Sequence, residues 1–139
     1  MNTANLKPAP SIDPDSAPYW DALNAGRLII KSCVDCGKAH FYPRELCPHC
    51  HSDNLSWIEA SGRGVIYSFT VCRRSAGPAF ADEVPYVVAL IDLPEGPRMM
   101  SRITGDPSDV AIGRQVDVRF ERQSEELVLP FFEMLEEQR

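Results

Sequence analysis

No apolar run in the chain approaches the ~20 residues that cross a bilayer, so a helical membrane span is not expected. The N-terminal stretch MNTANLKPAPSIDPDSAP has no apolar segment of the secretion-signal type, and the expected compartment is the cytoplasm. Basic residues are scarce, 14 Lys and Arg against 20 Asp and Glu, leaving a formal charge of −6. Nucleic-acid binding rests on cations that neutralise phosphates, so this balance argues against it. P-loop, G-x-G-x-x-G and G-x-S-x-G signatures are all missing. Cys72 alone lies outside the cysteine cluster; mid-strand and with no base nearby in sequence, it reads as a packed thiol and not a nucleophile. Carboxylates crowd toward the C-terminus (Glu125, Glu126, Glu133, Glu136, Glu137), the pattern of a solvated surface. No self-sufficient active site emerges.

What the chain does have is CVDCGKAHFYPRELCPHCH, residues 33–51, with four cysteines and three histidines. Clustered pairs in a reducing compartment favour metal over disulfides. Cys33 and Cys36 form one C-x2-C pair, Cys47 and Cys50 another, with ten residues between the pairs. Each pair turns two thiolates toward one point, and two such knuckles complete a tetrahedral set of the kind that holds structural zinc. Iron satisfies the same ligand geometry. His49 and His51 stand close enough to substitute for a cysteine, but the symmetry of the pairs favours an all-thiolate shell. His40, His49 and His51 are therefore read as surface loop residues. A catalytic zinc keeps an open position, whereas four thiolates close the shell and leave a poor Lewis acid. The H-x-E partner of the zinc deaminases is also missing. The metal is expected to be structural.

Before the cluster, Ser16 is positioned to cap a short helix, with Pro18 in its first turn, Tyr19, Trp20 and Leu23 on one face, and Gly26 ending it. RLIIKSC then reads as a strand entering the first knuckle. After the cluster the pattern becomes alternation: Val65, Tyr67, Phe69 and Val71 are expected on an inward face, with a bend or bulge near Gly62 and Gly64. YVVALIDL is apolar on both faces and reads as a central strand; RMMSRITG, QVDVRFER and ELVLPFFEML follow as further strands. In QVDVRFER, Val116, Val118 and Phe120 are expected inward. DPSDVAIG supplies one helical turn between the third and fourth of these five strands, which favours the OB barrel among all-β folds. The expected fold is mainly β: an N-terminal helical segment, a rubredoxin-like zinc ribbon and a C-terminal five-stranded OB-fold barrel. The divisions are a mobile lead (1–15), the helical segment and entering strand (16–30), the ribbon (31–57), the OB-fold (58–134) and an acidic tail (135–139).

Arg63, Arg73 and Arg74 bracket the first barrel strand beside a loose loop, at 75–84, and guanidiniums there can hold a phosphate-bearing ligand or serve as ordinary surface charge.

The order of motifs resembles a known family. C-x2-CG, P-x3-CP-x-C, SGRG-x-IYSFTV and PYVVALIDL follow one another as in the zinc-ribbon/OB-fold proteins catalogued as domain of unknown function 35, over about residues 18–133. The resemblance implies zinc ligands at Cys33, Cys36, Cys47 and Cys50. It also implies an accessory subunit of a thiolase-like or ketosynthase-like acyl-CoA enzyme: a thiolase, an acyltransferase or an aldolase. Such a subunit binds the partner and helps form its acyl-CoA channel, while the partner supplies the catalytic cysteine and histidine. An exposed apolar docking surface is then expected, drawn from Tyr19, Trp20, Phe41 and Tyr42, although the aromatic face of so short a helix is more often simple packing. Two other readings compete. A nucleic-acid module would need Tyr67 and Phe69 facing outward, and an independent acyl-CoA binder would hold its ligand without a partner.

Overall fold

The computed structural model describes residues 7–135. The ends of the expected lead and tail, 1–6 and 136–139, lie outside the described residues. Helix α1 (Ala17–Asn24) starts with proline in its first turn, and its chain reverses at Gly26, whose φ of 75° suits a residue without a Cβ. Ser16 occupies the N-cap, but its hydroxyl makes no cap bond. It is fully buried and donates instead to the Asp13 carboxylate, which also accepts from the Ser16 amide.

Three strands form the ribbon sheet: β1 (Ile29–Cys33), β2 (Ala39–His40) and β3 (Leu55–Glu59), in the order β2-β1-β3. Five more strands close into a barrel: β4 (Arg63–Cys72), β5 (Tyr86–Asp92), β6 (Arg98–Thr104), β7 (Gln115–Arg122) and β8 (Val128–Met134), ordered β4-β5-β6-β8-β7. The chain closes it by laying β8 antiparallel on β7 and parallel on β6. A single 3-10 turn, Pro107–Asp109, sits between the third and fourth barrel strands, capped by the Asp106 carboxylate accepting from the Ser108 amide. This is the OB arrangement that the strand count and helical break pointed to.

Inside the barrel, Ile66, Ile91, Met99, Val116 and Phe132 are almost fully buried. Each such side chain contributes about 1.5–3 kcal/mol by leaving water. Val118 and Phe120 pack against that interior, as the alternation of β7 requires. Gly64 is needed by space: a Cβ there would collide with the Ile91 side chain and crowd the Asp92 carbonyl. The core continues without a break into Tyr19, Trp20, Leu23, Leu28 and Ile30.

The expected inward face of β4 is corrected by the register. Ile66 pairs with Ile91 and Ser68 with Leu90, so Tyr67 is an extra residue in a bulge. Before the bulge, Gly64 and Ile66 point inward while Val65 and Tyr67 are exposed. After it, Phe69 and Val71 pack against the core. The bulge therefore lies beyond the glycine pair, where the alternating pattern carries no mark of it.

Candidate functional site

The two knuckles have the same backbone plan. The Gly37 amide donates to the Cys33 carbonyl, and the His51 amide to the Cys47 carbonyl. Each turn then needs a left-handed residue directly after its second cysteine, filled by Gly37 at φ 77° and by His51 at φ 66°. Glycine adopts that conformation freely; histidine does so at a cost of about 1–3 kcal/mol. The motif thus dictates His51's backbone, although His51 stays exposed and supplies no ligand atom to the cluster. Asp35 ties the knuckles together by accepting from Ser52 and Asn54 of the second, and those two bonds hold its carboxyl below the usual carboxylate range.

The Sγ atoms of Cys33, Cys36, Cys47 and Cys50 all lie within 4.8 Å of one another. Cys33 and Cys50 approach to 3.5 Å, Cys36 and Cys47 to 3.7 Å. A tetrahedral ion about 2.3 Å from each thiolate places the sulfurs about 3.8 Å apart, so the donor set fits such a metal. Backbone amides of Cys36 and His49 point at the sulfurs of Cys33 and Cys47, at 3.5 and 3.4 Å. Burial pushes the Cys47 thiol up, but the amides of Cys50 and His49 outweigh it and bring the pKa to about 7. The Ser52 amide lowers the Cys50 thiol, but the neighbouring sulfurs and burial together push it up to about 12. Four adjacent thiols resist losing all their protons unless a cation offsets the charge.

His40 is not the surface loop residue expected from sequence. It is 3% exposed, and neither ring nitrogen has a hydrogen-bond partner among the described residues. Burial holds its pKa below the ordinary 6.5, reinforced by the charges of Lys31 of β1 and Arg44 and by repulsion from His49. The unfolded chain therefore takes up this proton first, and stability falls as pH drops below about 6.5. His40→Phe is expected to flatten the dependence of the urea midpoint between about pH 7 and about pH 5. Parallel curves for the two proteins would reject that assignment.

The four aromatics expected to form an exposed surface are instead a packed cluster. Tyr19 and Trp20 are 2% and 7% exposed, Phe41 is half-buried, and only Tyr42 reaches solvent. Tyr19 and Trp20 meet edge-on at 5.0 Å, Tyr42 lies 5.5 Å from Tyr19, and the Trp20 indole donates to the Tyr42 hydroxyl at 3.0 Å. Burial, with Tyr42 beside it, pushes the Tyr19 hydroxyl pKa up. These residues join α1 to the ribbon and floor a groove of about 320 Å³ against the barrel. Pro43, beside them, is buried as well.

The three arginines do not converge. Arg63 begins β4, whereas Arg73 and Arg74 follow its other end, after ten residues or about 30 Å of strand. One phosphate cannot bridge them. Cys72 ends β4 opposite Tyr86, half-buried and outside the thiol cluster. No helix among the described residues is long and apolar enough to cross a membrane.

A four-thiol ribbon packed on a closed five-stranded barrel defines the ribbon/OB-fold class. Residues 20–56 match the family described as "ChsH2, rubredoxin-like zinc ribbon domain", and residues 57–121 match "ChsH2, C-terminal OB-fold domain". A DUF35 domain-containing scaffold protein of Methanocaldococcus jannaschii is 39% identical over 71% of this chain and 71% of its own length. The chain belongs to the DUF35 zinc-ribbon/OB-fold family.

A probable enoyl-CoA hydratase alpha subunit of Thermomonospora curvata is 38% identical over 91% of this chain, which spans only 40% of that relative's length. The benzoylsuccinyl-CoA thiolase subunit BbsA of Geobacter metallireducens is 30% identical over 62% of this chain and 56% of its own. Among solved structures, a chain of the "Ltp2-ChsH2(DUF35) aldolase" superposes with a TM-score of 0.80 and 37% identity, covering 91% of this chain and 98% of that one.

Proposed function

We propose that this chain is a non-catalytic subunit of a heteromeric acyl-CoA enzyme whose catalytic subunit is thiolase-like. The observation that carries the reading is its likeness, along 98% of the matched chain, to a chain of the "Ltp2-ChsH2(DUF35) aldolase". Support comes from relatives named as subunits of CoA-ester enzymes, a hydratase and a thiolase. In this reading the catalytic cysteine and histidine reside in the partner, and the present chain holds the partner in shape and borders its acyl-CoA channel.

The metal is zinc, held by Cys33, Cys36, Cys47 and Cys50. Four thiolates leave no coordination position for substrate, so the ion's task is to fold the ribbon. The whole complex works in the cytoplasm.

Tagged protein purified from its source is expected to carry a stoichiometric thiolase-like subunit, identified by mass spectrometry. Bond formation or cleavage on a CoA thioester should be maximal only with both chains present. Recovery of the chain alone, and a catalytic subunit indifferent to its addition, would overturn the proposal.

A further inference from the structure

A closed barrel fills its inside with side chains and ordinarily turns polar ones outward. Here one outward face breaks that rule. Cross-strand pairing puts Leu90 opposite Met100, and Val65, Asp92 and Arg98 in one row. Val65, Tyr67 and Met100 are 40%, 49% and 64% exposed. Leu129 and Phe131 of the adjoining β8 continue the apolar surface into the groove that Tyr42 also lines. Alternation from Gly64 and Ile66 leaves the Tyr67 ring outward, and the bulge after Ile66 returns Phe69 and Val71 to the core.

Charge is interleaved with the apolar side chains: Arg98 and Arg102 flank Met100 along β6, and Arg102 lies opposite Val88. The Arg98 guanidinium lies 3.4 Å over the Tyr67 ring and pairs with Asp92. Arg102 lies over Tyr86 and Phe131, at 4.5 and 5.2 Å, and pairs with Glu83. Glu83 also receives Lys7. Three cations thus accompany the stripe against two carboxylates, on a chain whose net charge is −6. Arg98 gives only Nε and Nη2 to Asp92, and Arg102 only Nη1 to Glu83, among the described residues. An apolar set of Tyr, Phe and Met with arginine among them has the composition of a protein interface. The flexible thioether of Met100 suits a surface that must mould to another.

We infer that the outward face of β4, β5, β6 and β8 docks the catalytic subunit, accepting an apolar segment of it flanked by carboxylates that take the spare donors of Arg98 and Arg102. The inference rests on the subunit reading above and adds to it the surface and the chemistry of the contact. Flat guanidiniums stacked on aromatic rings are pre-organised donors, so little side-chain freedom is lost on docking.

The test uses the full chain and its thiolase-like subunit, with affinity measured by calorimetry. Met100→Glu and Tyr67→Ser alter exposed side chains, and circular dichroism should show both variants folded. Each is expected to weaken the complex at least about 30-fold, the scale of a hot-spot residue. Ile112→Glu, 68% exposed on the loop before β7 and outside the stripe, should bind as wild type does. Arg98→Glu should weaken binding most at low salt, as an attractive pair with a carboxylate requires. Unchanged affinity in Met100→Glu and Tyr67→Ser would overturn this face while leaving the subunit role standing. Failure of the wild-type chain to bind any thiolase-like subunit would overturn the subunit role itself. A self-association abolished by Met100→Glu would also overturn the inference, assigning the face to a second copy.

Discussion

Cys47→Ser is expected to strip the chain of its metal and unfold the ribbon. Cys47 is fully buried and its sulfur lies 3.7 Å from that of Cys36, so no outside ligand can take its place. Structural zinc contributes about 10–16 kcal/mol of folding free energy in small ribbons, against a total stability of about 5–15 kcal/mol for a typical domain. The segment from Cys33 to Cys50 contributes few side chains to the core, so nothing else compensates for losing the ion. Metal analysis of the wild-type protein should give one zinc per chain, and the variant far less. Hydrogen exchange should show lost protection in β1, β2 and β3, with the barrel strands retaining more of theirs. A variant that kept stoichiometric metal and protected ribbon amides would contradict the assignment of Cys47 as a ligand. Iron in place of zinc would correct the metal while leaving the ligand set intact.

Trp20→Ala is expected to cost about 3–5 kcal/mol of unfolding free energy, the range for removing a large buried aromatic. Trp20 touches three parts of the molecule at once. Its ring packs edge-on against Tyr19 within α1, its indole N–H donates to Tyr42 of the ribbon, and it belongs to the core shared with the barrel. Truncation leaves a cavity at the meeting point of all three. Trp20→Phe keeps most of the ring and removes the donor, so it should cost only about 1 kcal/mol beyond any repacking. Urea unfolding of the three proteins separates these contributions. Equal stability of Trp20→Ala and wild type would contradict the place of Trp20 in the core.

Features written in short-range chemistry were legible before any coordinates. The C-x2-C pairs specify two turns and four convergent thiols because each turn is closed by its own backbone bonds. Pro18 and Gly26 bracket α1, and the two-residue period of β7 sends Val116, Val118 and Phe120 to one side. The separation of Arg63 from Arg73 and Arg74 was also legible, since a ten-residue strand has a known length.

Other features depended on partners far away in the chain. The aromatic face of α1 has the same sequence whether it meets another protein or its own barrel. Only the ribbon and β8, folding back over it, made Tyr19 and Trp20 core. His40 reads as a polar loop residue until β2 pairs with β1 and encloses its ring. The bulge at Tyr67 is a property of pairing with β5 and not of β4 alone. The sequence by itself determined the thiol set, the order of helix, ribbon and barrel strands, and the family. Only the tertiary structure decided which apolar side chains are core and which remain for a partner. Ligand spacing and strand period act over a few residues, whereas exposure depends on which distant segment arrives to cover a face.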